Sequence, residues 1–450
     1  MLSPRSLFIP SARLVPLALA ALCLGGTARA QSLQELYEAA RAYDATYLGA
    51  RAEAESAQYQ AAQTYALQRP SVALTASADR TISDTPYTPS TTRTSSTSTP
   101  VTVTAQQSLF NRANGLTIDQ ADKTVDVAKA KLQAAEQDLI VRLSQAYFDV
   151  LAATDTLATV QANKKAIAEQ LASAKRNFEV GTATITDTRE AQASYDLVIA
   201  QELAAANDLH VKQLALEQLV GRTGLQPWPL AKPTALPPLA PANLNDWLGT
   251  ADDRSPSVAQ ARLALDIAKL ETEKARAGHL PTLALTGSYT KGHVDIDTDP
   301  AAHQAGTNTN KSIGVTLSIP LFSGFATQNR IQETLKLEDK AVNDLEGTRR
   351  SVAQSTRSAF LGVQTGLAQV KAYEAAETSS KLSLEATQLG YKVGVRVNLD
   401  VLNAQTQLYN TEQQLSKARY DVIMGDLKLR QVTGQLSDAD VQRVNGLLAR

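Results

Sequence analysis

The chain has 450 residues, of which 43% are hydrophobic and 20% charged, and its formal net charge is −1 at pH 7. This length exceeds that of one small domain, and the near-neutral charge argues against a nucleic-acid-binding protein. Cys23 is the single cysteine, so disulfides and cysteine-based metal sites are excluded from the rest of the chain.

The N-terminal segment, residues 1–30, has the parts of a secretory signal peptide. Arg5 and Arg13 supply positive charge, a short apolar run follows, and Ala28-Arg29-Ala30 matches a cleavage site. The run is too short for a transmembrane anchor, and Cys23 lacks the small preceding residues that lipid attachment needs. We therefore expect an exported protein without a lipid anchor. No later apolar segment reaches about 18 residues, so any membrane crossing must use strands.

Proline is absent from two long stretches of the chain, between Pro100 and Pro227 and again after Pro320. Because proline breaks helix interiors, these stretches are free to form long helices. The chain also matches itself at offsets of 211 to 213 residues, which indicates an internal duplication. The matches include residues 67–80 with 278–291, Phe148 with Phe360, Gly181 with Gly394, Asp187 with Asp400, and Gly221 with Gly434.

Each copy is predicted to contain a helix, two strands, a very long helix and a further helix. In the first repeat, 31–225, these elements cover residues 31–67, 70–80, 99–109, 113–178 and 186–220. In the second repeat, 246–436, they cover residues 255–278, 281–291, 312–321, 325–390 and 398–433. A proline-rich linker, 226–245, joins the repeats, and residues 437–450 are predicted to be a C-terminal tail.

The predicted strands alternate apolar and polar residues, most clearly at Ile313, Val315 and Leu317. Each strand is about ten residues long, which is the length that crosses a bilayer when the strand is tilted. The connections at 81–98 and 292–310 are polar and low in complexity. We expect both connections to be exposed loops.

The first long helix is predicted from residues 116–180, which contain neither glycine nor proline. At about 1.5 Å per residue this helix would extend roughly 100 Å. Its apolar residues recur in steps of three and four, near the repeat of a coiled coil. The equivalent helix of the second repeat contains Gly347, Gly362 and Gly366, which we expect to loosen or bend it.

Four amphipathic strands cannot close a barrel alone, and lipid does not tolerate open strand edges. If these strands span a membrane, the chain must therefore self-associate. Strands at one end and such long helices at the other describe a membrane pore that carries a helical tube. The alternative of another class is a structural coiled-coil surface protein, or adhesin, with a small soluble sheet.

Three segments carry a resemblance to a known family: FEVGTATITD (178–187), PLFSG (320–324) and YKVGVRVNLDVLNAQTQLYN (391–410). They are similar to the TolC family of outer-membrane channel proteins, and the resemblance extends over the chain after residue 30. It implies an α+β membrane protein that assembles as a homotrimer. Four strands per chain would form one twelve-stranded β-barrel, continuous with an α-helical coiled-coil barrel that crosses the periplasm.

The resemblance also implies a function and partners. Channels of this family serve type I protein secretion or drug efflux, together with a periplasmic adaptor and an inner-membrane pump. The pump is an ABC transporter or a proton-driven efflux pump, and the surrounding partner is outer-membrane lipid. The lack of a lipidation cysteine favours secretion over efflux, because many efflux members are lipidated.

The same resemblance points to Asp400 and Asn403 as residues of the pore constriction. In the family, the start of the last long helix carries two acidic rings at the narrowest point of the tunnel. Asn403 occupies the second acidic position here, so we expect gating to persist with weaker cation binding. An alternative role for Asp400 is that of a first-turn acid that satisfies free N–H groups of its helix.

A latch between the two turns is also implied. Thr186 and Asp187 of the first turn, and Tyr391 and Arg396 of the second, match the residue types that hold the family's entrance shut. Arg396 and Asp187 can form a charge-assisted pair, and Tyr391 can donate its hydroxyl to the same carboxylate. Such a partly exposed pair contributes about 1 kcal/mol, so three copies would act together. The alternative is that these are unrelated charges at helix ends.

Gly181 and Gly394 are expected to adopt positive φ, which lets the chain reverse at each turn. Their neighbours would be exposed at the tip of the tube and are candidates for docking an adaptor: Val180, Thr182, Val393 and Val395.

The sequence contains no G-x-S-x-G, P-loop or H-E-x-x-H motif, so we predict neither an enzyme nor a cofactor. His293 and His303 lie near Asp295, Asp297 and Asp299 in the segment 292–310. A divalent-ion site is one interpretation of this segment. A solvated loop without a metal is the preferred one.

Overall fold

The computed structural model describes residues 31–87, 90–231, 236–299 and 302–449. The predicted signal peptide, residues 1–30, lies outside the described residues. Within them, each repeat opens with two helices where the sequence predicted one. These are α1 (Leu33–Tyr43) and α2 (Ala45–Thr64) in the first repeat, and α5 (Leu244–Arg254) and α6 (Pro256–Arg276) in the second.

The prediction of a single helix at 31–67 is wrong, because the helix is interrupted at Asp44. Asp44 is extended, with φ −60° and ψ 115°, and its carboxylate accepts a hydrogen bond from the Tyr47 N–H at 2.8 Å. The guanidinium of Arg142 binds the same carboxylate with both bonds at 3.0 Å. These hydrogen bonds lower the pKa of Asp44. Ser255, with φ −60° and ψ 125°, separates α5 from α6 at the corresponding place in the second repeat. Helix α5 begins at Leu244, inside the predicted linker.

The strands form one antiparallel sheet in the order β1–β3–β4–β5, with β2 also paired to β3. Their bounds are Ser71–Ala76 (β1), Asp79–Tyr87 (β2), Ser90–Phe110 (β3), Thr282–Asp299 (β4) and Ala302–Ser318 (β5). Since β1 and β2 lie end to end along one edge, the described sheet has four strand positions.

The prediction that 81–98 and 292–310 are loops is wrong. Most of their residues extend the two hairpins as paired strands, and the β3–β4 register runs on to the pair Arg93 and Asp299. Apart from Val294 and Ile296, which alternate with aspartates, these segments lack the apolar alternation by which strands are recognised. Their many threonines nevertheless suit a pleated sheet, and pairing with the adjoining strands sets the register.

The two faces of the sheet differ in polarity. On one face, Val103, Tyr289 and Lys311 lie side by side across β3, β4 and β5. Further exposed apolar side chains share that face: Val72, Leu74, Val101, Ile313, Val315 and Leu317. The other face carries hydroxyl groups, such as the Thr102 and Thr290 Oγ1 atoms at 2.9 Å. An exposed apolar face of this extent is suited to contact with lipid.

Two very long helices leave the sheet. Helix α3 (Arg112–Glu179) has 68 residues and α7 (Ala326–Lys392) has 67, which is roughly 100 Å each. Helix α4 (Ile185–Val220) returns along α3, α8 (Asn398–Val432) returns along α7, and α3 also packs on α8. The sheet and the two turns, which connect α3 to α4 and α7 to α8, therefore lie at opposite ends of the long helices.

Among the described residues, no helix is both long enough and apolar enough to cross a membrane.

Helix α7 continues through Gly347, Gly362 and Gly366. A Cβ on Gly366 would lie 2.9 Å from Val422 Cγ2 of α8, and a Cβ on Gly425 of α8 would lie 3.1 Å from Val363 Cγ2 of α7. The expected loosening or bending stays a prediction, and at Gly366 the missing side chain permits close packing of α7 on α8.

The main hydrophobic core lies midway along the long helices, where the central part of α3 meets α1, the linker and α8. Tyr147 is fully buried there, and its hydroxyl donates to the carbonyls of Gln31 and Trp228 at 3.3 and 3.0 Å. Residues 437–449 of the predicted tail, 437–450, contribute to this core. The tail contains α9 (Asp438–Asn445), and its Leu448 pairs with Leu230 of the linker.

Candidate functional site at the helical turns

The turns that follow α3 and α7 share one backbone geometry. Gly181 and Gly394 have φ values of 78° and 79°, which confirms the predicted positive φ. Each glycine N–H donates to the carbonyl three residues before it, at 3.0 and 3.1 Å. The next N–H donates to the carbonyl five residues before it, at 2.8 and 2.9 Å. These two hydrogen bonds require a residue in the left-handed conformation, which glycine adopts without steric cost.

The side chains around these glycines are exposed. Val180, Val393 and Val395 are 73%, 65% and 76% exposed, and Thr182 is exposed as well. Three valines at the free end of long helical hairpins form an apolar surface that another protein can cover.

The two turns differ in how the next helix begins. Thr184 Oγ1 accepts from the Asp187 N–H at 3.2 Å, and the Asp187 carboxylate accepts from the Thr184 N–H at 2.9 Å, which is a capping box. Val397 stands at the corresponding position before α8 and provides no side-chain cap. The carboxylate of Asp400, the equivalent of Asp187, instead lies 3.6 Å from the Arg396 guanidinium.

Near the turns, Tyr391 and Asn398 of the α7–α8 hairpin make polar contacts with the α3–α4 hairpin. Asn177, near the end of α3, donates from Nδ2 to the Tyr391 hydroxyl at 3.4 Å. Asn398, the first residue of α8, is fully buried. Its Oδ1 accepts from Gln170 Nε2, and its Nδ2 donates to the Asp187 carbonyl at 3.2 Å.

The four predicted latch residues have other contacts within the single chain. Asp187 takes part in the capping box, and Thr186 contacts the same threonine through its hydroxyl. The Tyr391 hydroxyl accepts a hydrogen bond from Asn177 of α3, and the Arg396 guanidinium pairs with Asp400 in the first turn of α8. Within the single chain, the contacts of Arg396 and Asp187 thus run to other groups.

The predicted constriction residues lie one turn apart on α8. The side chain of Asp400 is 37% exposed, and Asn403 is exposed. Both side chains are thus accessible from outside the chain, as residues that line a pore must be.

Sequence reasoning missed Gln170, Asn177 and Asn398. A signal for Asn398 was present in the duplication, because the first copy has Ile185 at the corresponding position. The second copy thus has a buried amide where the first has an isoleucine that is 48% exposed. Gln170 gave no signal, since its partner lies 228 residues away in the sequence.

The histidine and acidic residues of the segment 292–310 lie on strands. His303 Nδ1 of β5 is 2.7 Å from Asp297 Oδ1 and 3.2 Å from Asp295 Oδ1 of β4. One ligand atom from each residue lies within 4.8 Å of the others. Asp297 and His303 are register partners across the two strands, and a hydrogen bond between their side chains accounts for this proximity.

Comparisons with known proteins place this architecture in a class. The family model described as outer membrane efflux protein matches residues 33–222 and 247–435, one segment in each repeat. The chain is 36% identical over 340 residues to the outer membrane protein TolC of Vibrio cholerae, which covers 75% of this chain and 77% of that protein. It is 32% identical over 347 residues to the alkaline protease secretion protein AprF of Pseudomonas aeruginosa, with 76% and 71% covered.

Among solved structures, that of the outer membrane protein VceC from Vibrio cholerae is similar, with a TM-score of 0.74 at 20% identity. The similarity covers 89% of this chain and 96% of that one. Fold and sequence together thus define an outer-membrane channel protein. The chain belongs to the outer membrane efflux protein family, so the predicted family is confirmed.

Membership of this family confirms two further predictions. The fold class is α+β of the trimeric channel type, and the protein lies in the outer membrane and extends into the periplasm. Efflux and secretion are the activities for which its relatives are named. The family is one of channels, and no catalytic activity is indicated for it.

Proposed function

We propose that three copies of this chain form an exit duct for proteins secreted by the type I route, in company with a periplasmic adaptor and an inner-membrane pump. One observation carries the proposal: an apolar-faced sheet lies at one end of helices of 68 and 67 residues, and two glycine turns lie at the other. Helices of roughly 100 Å have the reach to connect an outer-membrane sheet with partners deep in the periplasm.

The open edges of the sheet support assembly of several copies. Strand β5 is paired on one side only, and so is the edge formed by β1 and β2. Unpaired backbone groups at such edges are costly in lipid, and pairing with the edge of another copy satisfies them. Three copies with four strand positions each would close the predicted twelve-stranded barrel.

The turns would form the periplasmic entrance of this duct. Three copies of Asp400 would make one acidic ring, while Asn403 adds a neutral ring one turn further along. Arg396 of one copy would reach Asp187 of its neighbour and hold the entrance shut. The exposed valines beside Gly181 and Gly394 would dock the adaptor.

Secretion is proposed ahead of efflux because of the similarity to AprF, a protein named for the secretion of alkaline protease. Drug efflux is the second candidate, favoured by the description of the matching family model. A strain that lacks the chain separates the two. Loss of a protein from the medium with unchanged drug sensitivity supports secretion, whereas drug sensitivity with an unchanged set of secreted proteins supports efflux.

A planar bilayer containing the purified protein tests the duct itself. We expect small cation-selective currents, because an acidic ring favours cations. An adhesin with the same helices would give no current, and that result would reject the channel.

The docking surface is tested with a photo-crosslinking residue at Val180 or Val395. Leu203 of α4, which is 69% exposed, provides a control position away from the turns. We expect crosslinks to the adaptor from both turn positions and not from the control. Equal crosslinking from all three positions would contradict docking at the turns.

A further inference from the structure

Asn398 is a buried amide at the point where α8 begins. It has no exposed surface, and both ends of its side chain are hydrogen-bonded to other elements. Its Oδ1 accepts from Gln170 Nε2 on α3, and its Nδ2 donates to the Asp187 carbonyl at the start of α4, at 3.2 Å. One side chain therefore connects α8 to both helices of the first hairpin.

The other contact between α8 and the first hairpin at this level is apolar. Leu402, one turn further along α8, packs with Ile167, Leu171 and Ala191 of α3 and α4. Apolar contacts of this kind are not directional, so they permit α8 to rotate or slide. The hydrogen bonds of Asn398 are directional, so they fix one orientation.

The first copy offers a contrast at this position. Ile185 occupies the corresponding place at the start of α4 and is 48% exposed, so only the second copy packs this position against the other hairpin. Burying an amide is unfavourable unless its hydrogen bonds are made, and both ends of the Asn398 side chain make them. Those bonds impose a defined geometry on the start of α8.

That geometry governs the residues of the proposed entrance. Asp400 is two positions after Asn398 in the first turn of α8, and Arg396 is two positions before it. The helix start has no side-chain cap of its own, so its orientation depends on contacts with its surroundings.

We propose that Asn398 is a positioning residue of the entrance, which holds the first turn of α8 against Gln170 and Asp187 and so keeps the entrance closed. This inference rests on the proposed function. When the α7–α8 hairpin moves relative to the α3–α4 hairpin, both hydrogen bonds of Asn398 must break. Opening therefore has to overcome this contact three times in a trimer.

The test is single-channel conductance of purified trimers in planar bilayers. The variants are Asn398→Ile, which installs the residue of the first copy, and Gln170→Leu, which removes one bond and leaves α8 unchanged. We expect each to shift the ratio of closed to open entrances about fivefold per chain, seen as higher conductance. The double variant should add little to either single one, because both act on one contact.

Gln137→Leu is the matched control. Gln137 is a buried amide that donates to the Leu436 carbonyl at 3.1 Å in the central core, far from the turns. Its loss should lower thermal stability and leave conductance at the wild-type level.

The outcomes separate the two proposals. If the assembled Asn398→Ile and Gln170→Leu variants conduct like the wild type, the positioning role is rejected and the channel stands. A rise in the control variant equal to that in the test variants also rejects it. If wild-type protein conducts no ions at all, the proposed function itself fails. Should Asn398→Ile not assemble, Gln170→Leu decides the question alone.

Discussion

The side chain of Arg396 lies across the backbone of Gly390. A Cβ on Gly390 would be 2.8 Å from Arg396 Cγ, and Gly390 does not have a positive φ. Glycine is therefore needed there for space rather than for backbone conformation. The aliphatic part of Arg396 packs on the end of α7, and its guanidinium reaches Asp400 at 3.6 Å.

Gly390→Ala should displace Arg396 and raise channel conductance while the fold is retained. The colliding atom belongs to a flexible side chain that is 61% exposed, so the loss of stability should stay below about 1 kcal/mol. Gly362→Ala on the same helix is the control, because nothing lies within 4 Å of the added Cβ. Conductance recordings compare the two, and equal values would remove Arg396 from the gate.

Arg396→Ser should raise conductance, and double variants can identify the carboxylate through which Arg396 acts. If the partner is Asp187 of a neighbouring copy, adding Asp187→Asn should cause little further increase. Adding Asp400→Asn should then have an independent effect. Thr184→Ala controls for damage to the capping box, which costs about 1 kcal/mol. Unchanged conductance in the Arg396→Ser variant would rule out the proposed latch.

Asp400→Asn should reduce the preference of the channel for cations, since three charges leave one ring at once. Asn403→Asp should increase it and strengthen block by divalent cations, because it adds a second acidic ring. Asn403→Gln is the neutral control. Reversal potentials in a salt gradient measure the preference. If Asp400→Asn leaves them unchanged, Asp400 does not face the lumen.

Gly434→Ala should be far more destabilising than Gly224→Ala, although both glycines have φ 72°. A Cβ on Gly434 would lie 2.1 Å from the Arg254 carbonyl oxygen, whereas one on Gly224 meets nothing within 4 Å. The left-handed conformation costs alanine about 1–2 kcal/mol at both sites. The collision adds roughly 1–3 kcal/mol at Gly434 alone. Thermal unfolding in detergent tests this order, and equal losses would contradict it.

Glu271 should make stability depend on pH in the acid range. Partial burial alone would raise its pKa, but hydrogen bonds from Lys274, Gln120 and Arg330 outweigh this and lower the pKa to about 2, from 4.5. Because the folded-state pKa is depressed, the contribution is complete above pH 4.5 and is lost as the pH falls towards 2.

Glu271→Gln should therefore lose at most about 3 kcal/mol of stability at pH 7, and the difference from wild type should vanish at the acid end. Glu273→Gln is the control, because Glu273 is 53% exposed and its ion pair is with Arg276 three residues away. Unfolding midpoints across this pH range provide the measurement. A Glu271→Gln difference that persists at pH 2 would refute the assignment.

Much of the fold could be predicted from proline and glycine alone. The proline-free stretches became the four long helices, and Gly181 and Gly394 became left-handed turns. The break at Asp44 could not be predicted in this way, because it depends on Arg142, a residue of another helix. The strand extensions were missed for a related reason. Pairing with a neighbour sets their conformation, and their own apolar period is limited to Val294 and Ile296.

The candidate site was predicted in its residue types and less well in its contacts. Gly181, Gly394, Asp400 and Arg396 stand out because the two copies can be compared position by position. The contacts of Asn398 with Gln170 and of Asn177 with Tyr391 join distant segments, and a single sequence carries no record of which distant polar groups meet.

The close packing at Gly366 and Gly425 has a mechanical consequence. With glycine facing valine in both directions across their contact, α7 and α8 interlock at this level. Side chains that interlock in this way resist both sliding and separation. The second hairpin should therefore behave as a single lever: force applied at its tip would swing the whole pair and would not splay α7 away from α8.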